Sequence, residues 1–292
     1  MKEEICYLDA TQISASIRDK SFSSQEVAQA FLERIEEVNP IINALVEFPD
    51  DVVQNARQAD EAIARGEIWG PLHGVPFTVK DCIDTKGIVT TRGSRLFADR
   101  VPDEDATVVE RIKDAGGILI GKSNMPEFAL WWETDNLVYG RTNNPWNIER
   151  TPGGSSGGEA AAIVAGMSPL GIGSDVGGSV REPANYCGIV GLKATHGRIP
   201  LTGHWPETLL RFMHVGPLAT TIRDISLSFN LMAGTDGLDS YAIPYSAENG
   251  LDSKLDSANL KIGWCSDGPF GPIDSEVQRT VSEAAKVLSE YG

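Results

Sequence analysis

Two clusters of glycine and serine are the places in this chain where residue type and spacing could do covalent chemistry. The first runs Thr151-Pro152-Gly153-Gly154-Ser155-Ser156-Gly157-Gly158-Glu159, the second Gly173-Ser174-Asp175-Val176-Gly177-Gly178-Ser179-Val180-Arg181. Glycine lets a ligand approach the backbone closely. A stretch such as Val176-Gly177-Gly178-Ser179 can aim successive N–H groups into one concavity, where they would hold an oxyanion. A serine hydroxyl is a weak nucleophile until a base takes its proton. The histidines His73, His196, His204 and His214 could serve, and so could a lysine kept neutral by burial. Lys80, carried out of the apolar run 74–79 beside Asp81, suits that role, but on spacing alone Lys122 and Lys193 are equal candidates. The plain alternative is a pair of solvated surface loops. The apolar runs 160–165, 169–172 and 189–192 that flank both clusters would bury them and oppose it.

Such side chains need rigid elements to hold them. Ser23-Ser24-Gln25-Glu26 has capping-box spacing, and Val27, Phe31, Ile35 and Val38 recur at helical intervals until Asn39-Pro40 stops the pattern. A second amphipathic helix is expected over 50–65, closed by Gly66. Residues 74–80 read as a buried strand that ends in Lys80. Asp105 is placed to cap a helix carrying Val108, Val109 and Ile112, and after Gly116-Gly117 a strand follows at Ile118-Leu119-Ile120. Further on, helices are expected over 222–232 and 274–290 and a strand over 260–264. Strands alternating with helices give the α/β class, a mixed β-sheet core covered by α-helices on both faces.

Composition narrows the function. Lys and Arg number 25 against 41 Asp and Glu, a formal net charge of −16. A surface that acidic repels phosphate backbones and anionic headgroups, so no nucleic-acid partner and no membrane association is expected. Cys6, Cys82, Cys187 and Cys265 lie far apart, with no CxxC pair and no histidine at ligand spacing. That opposes a zinc site and a disulfide framework, and neither metal nor cofactor is expected. Met1-Lys2-Glu3-Glu4-Ile5-Cys6 leads into no apolar signal region, and no apolar run approaches bilayer length. A soluble, reduced, cytoplasmic protein is therefore expected.

Residues from about 70 to 200 resemble the amidase signature family. The resemblance rests on Gly70-Pro71-Leu72-His73-Gly74-Val75-Pro76-Phe77-Thr78-Val79-Lys80-Asp81, on both glycine-serine clusters, and on Gly188-Ile189-Val190-Gly191-Leu192-Lys193. It continues more thinly in both directions. It implies a single amidase domain over 1–292, helical over about 1–66, with the signature core at about 70–200. It also implies hydrolysis of a small-molecule carboxylic amide to carboxylate and ammonia or amine. The family's Ser-cisSer-Lys set falls on Ser179 as nucleophile, Ser155 as bridging serine beside a cis peptide, and Lys80 as base. The N–H groups of Val176, Gly177, Gly178 and Ser179 are implied to hold the oxyanion. Ala129, Leu130, Trp131 and Trp132 correspond to the segment lining the acyl pocket, with core packing left open for the two tryptophans. A homodimer is admitted as the oligomeric state.

Around these residues, Asp175 and Arg181 are expected to pair with each other or with backbone and hold the glycine loop. Cys187 is expected in the core, and Glu182 adds an acid near the site. Residues 201–217 resemble general, fatty-acid-amide-hydrolase-like amidases and lack the Ser-Leu-Asp-Gln pattern typical of glutamyl-tRNA amidotransferase. Two rivals stand beside this reading. An α/β-hydrolase would use Gly153-Gly154-Ser155-Ser156-Gly157 as a GxSxG elbow with a downstream histidine, and a non-catalytic homologue would keep the pocket without turnover. At the end of the chain, Val277, Val281, Ala284 and Leu288 form one apolar stripe before Tyr291-Gly292. A crossover unit requires a further strand there and family members continue, so the chain is expected to be C-terminally incomplete.

Overall fold

The apolar runs assemble into one mixed sheet. The structure is a computed structural model that describes residues 2–206, 209, 211–246, 261–266, 268 and 271–291. It divides into two compact units, Met1–Gly250 and Leu251–Gly292.

In the first unit the strands are β1 (Leu45–Glu47), β2 (Pro76–Lys80), β3 (Ile118–Ser123), β4 (Leu170–Asp175), β5 (Val190–Gly191) and β6 (His214–Ala219). Their spatial order is β1-β3-β2-β4-β6-β5. The central strand β2 runs parallel to β3 and β4, while β1, β6 and β5 are joined antiparallel. Every residue of β2, β3 and β4 is buried, so the middle of the sheet is covered on both faces. The helices that accompany it are α1 (Lys2–Cys6), α2 (Ala10–Arg18), α3 (Ser24–Ile42), α4 (Val52–Ala64), α5 (Thr107–Asp114), α6 (Gly157–Val164), α7 (Arg181–Cys187) and α8 (Ile222–Met232). One continuous core joins them, with Phe31, Phe77, Ile112, Ile120 and Leu170 among its fully buried members. The α/β expectation with a mixed sheet holds.

Local differences have local causes. The capping box at Ser23 and Glu26 is formed, but α3 runs on through Pro40 to Ile42. Proline in a last turn removes one N–H and leaves the rest of the helix intact. Asn39 then closes the helix: its Oδ1 accepts the N–H groups of Ala44 and Leu45, each at 2.9 Å, and Asn43 takes a left-handed conformation. Asp105 caps nothing. Its carboxylate accepts the Lys86 N–H at 2.8 Å and Lys113 Nζ at 2.7 Å, and α5 starts behind Ala106 without a side-chain cap. In the second unit α9 spans Ser275–Tyr291, with Asp274 accepting the Glu276 N–H at 2.8 Å. Of the expected strand at 260–264, Leu260 lies outside the described residues, and 261–264 form no strand because no neighbouring strand pairs with them there.

The sheet also sets the site. Parallel β2, β3 and β4 place their carboxyl ends at one rim, with Lys80 opposite Ser123 and Val79 opposite Lys122. In open α/β sheets that rim is where ligands bind.

Candidate active site

Lys80 ends β2 and is fully buried. Its Nζ lies 2.7 Å from Ser155 Oγ, 3.2 Å from Ser174 Oγ and 3.4 Å from the Ser174 carbonyl oxygen. Burial pushes its pKa below the ordinary lysine value of 10.5, against the pull of Cys82, Asp175 and Glu159. Glu159, on α6, is itself pushed up to about 7 by burial.

Ser155 follows a cis peptide bond from Gly154. Gly154 has no room for a side chain: a Cβ there would lie 2.7 Å from the Trp131 carbonyl oxygen and 2.8 Å from the Glu133 nitrogen. The loop carrying Trp131 and Trp132 therefore sits directly on the first cluster. Ser156 stitches the two clusters together. Its N–H donates to the Ser179 carbonyl at 3.0 Å, and its Oγ donates to the Ser174 carbonyl at 3.2 Å.

Ser179 lies between β4 and α7 and is 7% exposed. Its Oγ makes no hydrogen bond among the described residues. The residue lines a cavity of about 220 Å³ with Phe128, Trp131, Trp132, Pro206, Leu209 and Met213. Ala129, Leu130, Val176 and Gly177 complete the lining, which contains no charged side chain among the described residues. Trp131 and Trp132 are 65% and 60% exposed, which decides between the two readings left open for them: they are not core. A larger cavity of about 610 Å³ beside Glu47, Trp69 and Lys113 contains none of the expected site residues.

The glycine loop hangs from Asp175. Its carboxylate accepts Arg181 Nη2 at 2.8 Å and Nε at 3.0 Å, together with the N–H groups of Gly178 at 2.9 Å and Val180 at 3.0 Å. Burial alone would raise the Asp175 pKa, but Arg181 and these N–H groups hold it down at about 2. The expected pairing of Asp175 with Arg181 is present. Gly178 adopts φ +119°, a conformation that favours glycine, and gives its N–H to Asp175. That narrows the expected oxyanion donors: Val176, Gly177 and Ser179 keep N–H groups with no protein acceptor among the described residues, whereas Gly178 does not.

The remaining candidates fall elsewhere. Lys122 is buried on β3, bonded to the Ile83 carbonyl at 2.6 Å, Thr90 Oγ1 at 2.9 Å and Thr85 Oγ1 at 3.1 Å, and lies 3.9 Å from Asp81. Lys193 Nζ reaches only the carbonyl of neighbouring Ala194. Among the described residues no histidine bonds to Ser155 or Ser179, as the elbow reading would need; His73 accepts the Trp69 N–H, and His196 packs against His214. Cys187 is buried, its thiol pushed up to about 12 by burial, and it is inert there. Glu182 accepts the Gly154 N–H at 3.2 Å. Ser174 and Cys82, which the sequence did not single out, also belong to this neighbourhood. The spacing offered no signal for either, because their partners lie about a hundred residues away in sequence.

The sequence matches the Amidase family over residues 26–292. The chain belongs to the amidase family. This amidase is 42% identical over 99% of its length to a glutamyl-tRNA(Gln) amidotransferase component from Carboxydothermus hydrogenoformans, covering 60% of that protein. It is 39% identical over its whole length to an acylamidase of Rhodococcus erythropolis, covering 61% of it. Its structure superposes on a fatty acid amide hydrolase with a TM-score of 0.89 at 26% identity, covering 99% of this amidase and 52% of that chain. The amidase chain thus spans about three fifths of the curated relatives it matches, and those relatives include both branches weighed in the sequence.

Proposed function

We propose that this chain hydrolyses a carboxylic amide through an acyl-enzyme on Ser179. The observation that carries the reading is the 2.7 Å approach of the buried Lys80 amine to Ser155 Oγ. A buried lysine with a lowered pKa can rest neutral and accept a proton. In the reaction, Ser179 Oγ bonds to the amide carbonyl carbon while its proton passes to Ser155 and the Ser155 proton passes to Lys80. The oxyanion settles against the N–H groups of Val176, Gly177 and Ser179. Lys80 then returns a proton through Ser155 to the nitrogen as the C–N bond breaks, since an amide anion is a poor leaving group. Water, deprotonated by the same relay, attacks the ester, releasing the carboxylic acid and restoring Ser179.

The substrate we favour is a small amide with an apolar acyl group, met in the cytoplasm. The uncharged cavity beside Ser179 and the exposed Trp131 and Trp132 support the first part. The four cysteines, free of disulfides, support the second. A second reading, one component of an amidotransferase, is favoured by the 42% identity to such a protein. Mixing the protein with p-nitrophenyl hexanoate and with hexanamide tests the proposal. One hexanoyl group should appear on the Ser179 peptide, and hexanamide should yield hexanoate and ammonia. Turnover of glutamine with no hexanoyl transfer would favour the second reading, and acylation of another residue would overturn the assignment of Ser179.

A further inference from the structure

Behind Lys80 lies a buried file of polar groups that the proposed mechanism leaves unused. Ser174 Oγ, 3.2 Å from Lys80 Nζ, is 3.6 Å from Cys82 Sγ, and Cys82 Sγ is 3.4 Å from His204 Nε2. All four residues are buried. The two segments are also joined by backbone: Trp205 donates its N–H to the Cys82 carbonyl at 3.0 Å, and Asp84 donates to Gly203 at 2.8 Å. His204 Nδ1 has no partner among the described residues, and the residue borders a cavity of about 290 Å³ beside Thr202, Asp239 and Ser240.

Counting donors gives the file a direction. A neutral lysine amine has two N–H groups and one lone pair, and Lys80 has three polar neighbours. If the lone pair is to face the Ser155 hydroxyl, both N–H groups must go to the Ser174 carbonyl and Ser174 Oγ. The Ser174 hydroxyl proton then has one acceptor left, Cys82 Sγ, and the Cys82 S–H has one left, His204 Nε2. Burial supports each state: it pushes the Cys82 thiol up, so the S–H is kept, and it pushes His204 down to about 3, with Lys80 and Arg92 adding to the effect, so the ring stays a neutral acceptor.

We infer that Cys82 and His204 are positioning residues for Lys80, polarising Ser174 away from the amine so that its lone pair stays aimed at Ser155. The inference rests on the proposed role of Lys80 as base. Without an acceptor at Cys82, the nearest acceptor for the Ser174 proton is the Lys80 lone pair itself, and Ser174 would compete with Ser155 for it. The charged and titratable groups around the file are Asp175 on β4, Glu159 on α6, Lys122 on β3, and Asp81 and Arg92 on the adjoining loop.

The test is the rate at which a fluorophosphonate labels Ser179 across the neutral and alkaline range, in the full chain. Cys82→Val keeps the volume but can neither accept nor donate as a thiol does, whereas Cys82→Ser keeps both functions. Likewise His204→Leu removes the acceptor and His204→Gln retains one. The valine and leucine variants should label about tenfold more slowly at every pH, the effect of one competing hydrogen bond. The serine and glutamine variants should recover most of that loss, and the valine–leucine double variant should lose little more than either single variant, because both break the same file. Melting temperatures of all five variants separate this pattern from misfolding. Valine retaining the rate while serine loses it would mean that Cys82 only fills space, and unchanged rates in all variants would also overturn the inference. A wild type that takes no label on Ser179, or a Lys80→Ala variant that labels equally fast, would instead overturn the role of Lys80 from which the inference starts.

Discussion

Two lysines sit side by side at the rim of this sheet, both fully buried, and they do different things. Lys80 ends β2 and Lys122 lies one strand away on β3, opposite Val79. Burial pushes the pKa of both downward. Lys122 meets a backbone carbonyl, two threonine hydroxyls and the Asp81 carboxylate, which can only be satisfied by an N–H donor or neutralised by its charge. It clamps the loop from 83 to 90 onto the sheet. Lys80 meets two serine hydroxyls, which can give a proton as readily as receive one. A buried amine among hydroxyls is poised to exchange a proton, whereas one beside a carboxylate is a structural ion. Depth of burial does not separate the two roles, but the partners do.

The largest effects should fall on activity. Ser179→Ala should cost several orders of magnitude in kcat, and Lys80→Met nearly as much. The melting temperature of Lys80→Met should hold or rise, because Ser155 and Ser174 can bond to each other or to water once the amine is gone. Lys122→Met should do the opposite. It strands the Asp81 carboxylate and three acceptors, so about 3–5 kcal/mol of stability should go, read by denaturant unfolding. Residual activity per folded molecule should stay near wild type. Equal loss of activity in the folded fraction of both variants would break the comparison.

Smaller effects sharpen it. Asp175→Ala leaves the N–H groups of Gly178 and Val180 without an acceptor and should cost about 1–3 kcal/mol, with a lower kcat as the glycine loop loosens. Because the folded Asp175 pKa lies at about 2, below the ordinary 3.8, its contribution is present above the ordinary value and lost as pH falls toward 2. Acid titration of the melting temperature should lose that component in the variant. Arg181→Ala removes a half-exposed partner and should cost less than about 1 kcal/mol. For Lys80 the sign is that of a depressed base. The neutral form must act, so kcat/KM should rise with pH and level off below the ordinary lysine range. An optimum in acid that vanished in Glu182→Gln would name a carboxylate base instead.

What the sequence revealed followed the range of the forces involved. Helix α8 and the strands β2 and β3 are local patterns, and they appear where the periodicity puts them. Asp105 misled because a capping position describes only the neighbouring backbone, while Lys86 and Lys113 compete for the same carboxylate. Pro40 misled because proline is costly in a helix interior and cheap in its last turn. The two clusters were legible as chemistry, and the family resemblance put Ser155, Ser179 and Lys80 together. Spacing could not rank Lys80 above Lys122, since both close apolar strands. Their partners come from 32 to 94 residues away, which only the fold can supply.

Covalent capture compares the two lysines most directly. Fluorophosphonate labelling, located by peptide mass, should be run on the wild type, Lys80→Met and Lys122→Met at a temperature where all three are folded. The account predicts label on Ser179 in the wild type and in Lys122→Met and little or none in Lys80→Met. Label on Ser155, or equal labelling of Ser179 with Lys80 absent, would contradict it.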